Sequence, residues 1–156
     1  MKKSAEIFLE SYLSQHRINR KFFELVPESK YDFKMTKSSD SIRDNLAHII
    51  AVTRNYLEGV EQGVLDFNSE KYADLNNSKD KKELLEKLAQ EIERMKIILG
   101  REDIESIIVK TPWGNVKAVD SLYGLKDHEI LHTGINLALM DHLEIPRFDE
   151  LKAMWG

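Results

Sequence analysis

The stretch DHEILH, residues 127–132, carries two histidines one helical turn apart, His128 and His132, with Glu129 between them. Two readings of it lead to different chemistry. As HExxH it puts two imidazoles on one helix face to bind zinc and offers Glu129 as the general base of a metallopeptidase. As HxxxH it is a histidine pair that can bind one ion through neutral ring nitrogens, or sit paired in a core. Imidazoles crowded into an apolar face need polar partners. Spacing alone leaves ligation and a paired core role both open.

The peptidase reading needs a third ligand. In the pattern HExxHxxGxxH the glycine and final histidine would fall where this chain has Ile135 and Ala138. Glu144 is about 18 Å farther along a helix axis than His132, out of reach of the same ion. Glu150 follows Pro146, with the chain nearly finished. A substrate-aligning sheet edge is hardly offered either. The motif lacks its structural context. Glu129 is then either a base or a surface carboxylate.

Three other histidines are His16, His48 and His142. His142 lies about 15 Å beyond His132 along a helix, so it reads as a helix-end residue near the last carbonyls. His16 follows Tyr12 by one turn and reads as pocket-lining or core. His48 lies about 120° from Ile42 on a helical projection, at the margin of an apolar stripe or outside it. That position fits a cleft between helices as well as a surface.

These side chains need elements to hold them. Residues 4–26 carry Ile7, Phe8, Tyr12, Leu13, Phe22, Phe23 and Val26 at mostly helical spacing, and Pro27 stops the run. Ser39 or Ser41 can cap a second helix with the stripe Ile42, Leu46, Ile49, Ile50, Thr53, Tyr56, Leu57 and Val60, ended by Gly59 and Gly63. A connection over 64–77 follows. Ser78 can cap a third helix, with Leu84, Leu85, Leu88, Ile92, Met95 and Leu99 on one face and Gly100 at the C′ position.

The period then changes. Residues 104–119 are β-branched on both sides of Pro112-Trp113-Gly114-Asn115, which predicts a short hairpin or extended arm. Asp120 can cap a last helix running to about Leu143, before Pro146. At about 100° per residue, His128, Leu131, His132, Ile135, Ala138 and Leu139 point nearly one way, as its buried stripe. Phe148, Leu151, Met154 and Trp155 can pack back from the tail. The reading is all-α: a four-helix bundle with a short β-hairpin or extended arm before the last helix, one domain over 1–156.

Composition narrows the function classes. The chain has 156 residues and a net charge of −4, which argues against nucleic acid as a bulk electrostatic partner. The basic run Arg17 to Lys21 reads as a solvated helix face. Glu6 and Glu10 interrupt the early apolar stretch, and no run is long enough to span a bilayer, so neither a signal peptide nor a membrane partner is expected. There is no cysteine, so any metal is held by His, Asp or Glu and the chain has no thiol of its own. Such a chain is compatible with the cytoplasm.

Three segments in order resemble the DinB/YfiT-like superfamily: SIRDNLAHI (41–49), the TPWGN turn (111–115) and HEILHTG (128–134), with Pro146 after the last helix. The resemblance covers nearly the whole chain. It implies a DinB-like four-helix bundle with a metal site of His48, His128 and His132, holding a divalent transition metal, zinc or nickel. It implies a metal-dependent enzyme acting on a small-molecule substrate, either a thiol S-transferase using a low-molecular-weight thiol such as bacillithiol or mycothiol, or a hydrolase. A homodimer is implied as well. The alternative is a dimeric, stress-associated binding module whose metal is structural or absent. The chain departs from the family at Ile135, where Gln often follows the HxG triplet.

Two expectations attach to such a site. Each ligating ring needs an acceptor for its other N–H, for which Asp44, Asp127 and backbone carbonyls are candidates. Metal affinity should fall as pH drops through about 6, the ordinary range of histidine.

Overall fold

A computed structural model describes residues 1–67, Tyr72, Leu75 and 80–155. Helix α1 spans Lys3–Leu25 and stops before Pro27, which is followed by a 3-10 turn at Glu28–Lys30. Helix α2 spans Ile42–Gln62 and is capped by Ser41 rather than Ser39. The Ser41 hydroxyl accepts from the Asp44 backbone N–H, and the Asp44 carboxylate accepts from the Ser41 N–H, both at 3.1 Å. This reciprocal box satisfies two donors that a helix start leaves orphaned.

Gly63 ends α2 in the left-handed region at φ 74°. Gly59 does not end it. It lies inside the helix, where an added Cβ would stand 3.0 Å from Leu65 Cδ1. Helix α3 spans Lys81–Leu99, and its N-cap is Asp80, whose carboxylate accepts from Lys82 N and Glu83 N. The expected cap, Ser78, lies outside the described residues. Gly100 follows α3 in right-handed conformation (φ −75°), so the left-handed C′ expected from its type is not used.

The expected arm is a hairpin of β1, Ile108–Thr111, and β2, Gly114–Lys117, paired antiparallel with Val109 opposite Val116. Gly114 sits at φ 130°, a conformation open to glycine and strained for other residues. The hairpin clips two helices together. Lys110 N donates to Gly63 O and Leu65 N donates to Lys110 O, both at 2.8 Å, while Ala118 N donates to Ile107 O at 2.9 Å. The end of α2 is thereby tied to the start of α4, Ala118–His142. Asp120 lies in the first turn of α4, and Lys117 takes the cap position instead.

A short helix α5, Asp149–Trp155, returns the tail, with Leu151 buried and Met154 exposed. The fold is therefore all-α, four long helices with a small hairpin before the last of them. Among the described residues no helix is long and apolar enough to cross a membrane.

Helix α1 packs chiefly on α4, and α2 on both α3 and α4. The apolar core falls into two clusters. One, at the hairpin end, gathers Phe8, Tyr12, Leu57, Met95, Leu99, Val109 and Leu122. The other gathers Phe22, Phe23, Ile42, Leu46, Leu84, Leu139 and Met140. Between them, in chain order on α1 and α4, lie buried polar side chains: Gln15, His16 and Asn19, facing Glu129, Thr133 and Asn136.

The buried face of α4 is thus only in part the stripe expected: His132 and Leu139 are buried, while Leu131, Ile135 and Ala138 are not. Leu131 is 70% exposed and Ile135 39%, whereas Glu129 is fully buried. The reason is the partner surface. Helix α1 presents Tyr12, Gln15, His16 and Asn19 at i, i+3, i+4 and i+7, one continuous polar face, and polar side chains on α4 turn inward to meet it.

Candidate metal centre

His48 stands on α2, and His128 and His132 stand one turn apart on α4. Two contacts set the register between these helices. The hairpin clip is one. The other is Tyr56, whose hydroxyl lies so close to Gly124 that a Cβ there would meet it at 2.7 Å. Gly124 precedes His128 by one turn, so the missing side chain lets α2 approach α4 next to the histidine pair.

The three rings converge. His128 Nε2 is 2.9 Å from His48 Nε2 and 3.1 Å from His132 Nε2. One ligand atom from each residue lies within 4.8 Å of the others. Nitrogens bound at about 2.0–2.1 Å to one tetrahedral ion stand roughly 3.3 Å apart, close to what is seen. Hydrogen bonding alone accounts poorly for the arrangement. A single Nε2 carries either one proton or one lone pair, yet His128 Nε2 faces two other ring nitrogens. The donor set and its geometry fit a cation.

Solvent reaches the group from one side. His48 is exposed, His128 half-buried and His132 buried. The Nδ1 atoms of His128 and His132 are buried and have no partner among the described residues. The expected acceptors are elsewhere: the Asp44 carboxylate is engaged in the α2 capping box, and Asp127 is exposed.

Burial, and then the charges of the neighbouring rings, hold His128 down to about 4. Burial and the His48 ring do the same for His132, also to about 4. His48 is lowered by burial, against a smaller opposing effect of Asp40. These values lie below the ~6.5 of an unstructured histidine.

The sign for stability follows. The unfolded chain takes up protons first, so the metal-free protein should be at full stability above pH ~6.5 and lose it progressively toward pH ~4. Ring-proton NMR in the presence of a chelator checks this. Midpoints near 4 for His128 and His132 are expected, and midpoints near 6.5 would contradict the burial of the group.

Glu129 stands on α4 between the two histidines of the pair. It is not a surface carboxylate, being 0% exposed. Its Oε1 accepts from the Tyr12 hydroxyl at 2.9 Å and meets His16 Nδ1 at 3.1 Å, and its Oε2 accepts from Asn19 Nδ2. Burial raises the carboxyl pKa, but His16, through its hydrogen bond and charge, together with Asn19 and Tyr12 holds it below the ordinary carboxylate range. Burial, then the charge of Glu129, pushes the Tyr12 phenol well up.

Thr133 and Asn136 extend the layer. The Thr133 hydroxyl is 2.9 Å from Asn19 Oδ1, and Asn136 Nδ2 donates to the same oxygen at 2.9 Å. His16 is a core residue, as expected, while the ring of His142 lies 5.1 Å from that of Phe33. Gln15, Asn19, Thr133 and Asn136 had not been singled out. Their signal was present in the chain: polar residues at helical spacing on two helices, each between apolar stretches.

Trp113, at the tip of the hairpin, is 60% exposed. Its ring lies 6.2 Å from that of Phe67, which packs edge-on against Tyr56 at 5.8 Å. No curated protein matches the chain. A family model matches residues 13–135, a span that holds His48, His128 and His132; it is the model of the DinB superfamily.

Proposed function

This chain belongs to the DinB superfamily, and we propose that it is a metal-dependent enzyme whose divalent ion is held by His48, His128 and His132. The observation that carries the reading is the meeting of three Nε2 atoms, from two helices, at one point. Three neutral imidazoles leave a fourth position open, the catalytic rather than the closed structural arrangement. Exposure of His48 puts that position within reach of a small molecule and favours catalysis over a purely structural ion.

When bound, the ion supplies Lewis acidity that favours the deprotonated form of a thiol or water. Zinc and nickel both suit imidazole donors. The chain contributes no cysteine, so in the transferase form the thiol comes from a low-molecular-weight cosubstrate, and in the hydrolase form water takes that place. His128 and His132 stay neutral until pH nears 4, so the chain presents ligating nitrogens throughout the physiological range. The same reading has the protein work as a homodimer, following the family resemblance, and in the cytoplasm, with which its lack of cysteine is compatible.

Metal analysis of untagged protein, followed by calorimetric titration with zinc and nickel, tests the proposal. About one equivalent per chain is expected. No transition metal in the purified protein and no uptake on titration would overturn it.

A further inference from the structure

We infer that Glu129 is the fixed counter-charge of the metal centre, a positioning residue that sets how tightly the triad holds a dication without touching it. The inference rests on the metal reading above. Three observations carry it.

First, the carboxylate is fully buried and sits on α4 directly after His128 and three residues before His132, bracketed by two of the three ligands. Second, its oxygens are engaged by donors from α1, namely Tyr12, His16 and Asn19. A carboxylate so occupied, at 0% exposure, is not free to collect a proton from a substrate or to swing onto an ion. Third, it has no permanent counter-ion. Among the described residues its one ion-pair partner is His16, at 3.1 Å, which is charged only when protonated. No lysine or arginine pairs with it.

A buried anion without a cation is costly. Three neutral imidazoles around a dication leave an excess of two positive charges. Each arrangement supplies what the other lacks. A unit charge on the residue next to one ligand and within a turn of the other acts on the ion through the protein interior, where screening by water is weak. The polar face of α1 then has a purpose beyond packing: it fixes a carboxylate on the ligand helix.

Zinc competition against a chromophoric chelator tests this on the full chain, with wild type, Glu129→Gln, His16→Gln and Thr133→Val compared. Glu129→Gln removes the charge at nearly constant shape and should weaken zinc about 10- to 100-fold. His16→Gln keeps a donor to the carboxylate, and Thr133→Val disturbs the same layer without altering charge. Both should stay within about threefold of wild type, whatever they do to urea stability.

Equal zinc affinity in Glu129→Gln and wild type overturns the inference while leaving the metal reading intact. Equal weakening in all three variants overturns it too, in favour of a packing role. If Glu129→Gln fails to fold, Glu129→Asp replaces it: the charge is kept, so affinity within about threefold supports the inference and a tenfold loss overturns it. A wild type that takes up no zinc overturns both readings.

Discussion

His128→Ala should abolish stoichiometric metal binding while leaving the helical fold in place. His128 contributes the nitrogen that faces both of the others, at 2.9 and 3.1 Å, so its loss deletes the central donor of the three. Partners one shell outside a metal already cost about 10- to 100-fold when removed, and a ligand itself should cost more than about 100-fold. The metal-free fold should tolerate the change. His128 is only half-buried, and its Nδ1 has no partner among the described residues.

The thermodynamic signature is specific. Zinc at about 100 times its Kd should add ~2.7 kcal/mol to wild-type stability, and this increment should vanish in the variant. Urea unfolding with zinc and with chelator measures both quantities. A variant that unfolds together with metal loss would mark the ion as structural. One that keeps wild-type zinc uptake would remove His128 from the site.

Asn19→Ala should produce the largest loss of stability of any single truncation in the polar layer. One side chain makes four bonds there. Asn19 Nδ2 donates to the Glu129 carbonyl at 2.8 Å and to its carboxylate, and Oδ1 meets both Thr133 Oγ1 and Asn136 Nδ2 at 2.9 Å. Truncation leaves a fully buried carboxylate short of a donor, and a buried amide without its acceptor. Each buried group left unsatisfied costs about 1–3 kcal/mol, more when it is charged. A total of roughly 3–5 kcal/mol is a large part of the ~5–15 kcal/mol that holds a domain together.

Equilibrium urea unfolding with an unchanged m-value is the measurement. A loss under about 1 kcal/mol would mean that water replaces the amide at no cost, and that the layer is wetter than its burial indicates.

Local features were legible where one residue type has one physical use. Pro27 ends α1, Ser41, one of the two serines offered as caps, starts α2, and Gly63 supplies the positive φ at its end. The hairpin was legible in its β-branched flanks and the Pro-Trp-Gly-Asn turn. Glycine type alone misled at Gly59, which gives room to Leu65, and at Gly100, which stays right-handed. In each case a neighbour distant in sequence, or the next turn of chain, made the choice.

The buried face of α4 shows the limit most clearly. Hydropathy points Leu131 and Ile135 inward, yet burial goes to Glu129, Thr133 and Asn136, because which side of a helix is inside depends on what it meets. A polar side chain is expensive inside a protein only when unpartnered, and α1 carries the partners 110 residues or more away.

The sequence by itself determined the histidine pair, since a spacing of four is a property of any helix, and it determined the helices that carry the site. That the pair gains a third nitrogen from His48, 80 residues upstream, was implied by the family resemblance in the sequence, but the meeting itself is made by tertiary structure. The hairpin clip and the contact of Tyr56 with Gly124 set the register of α2 against α4, and register is a sum over contacts between helices that no single segment contains.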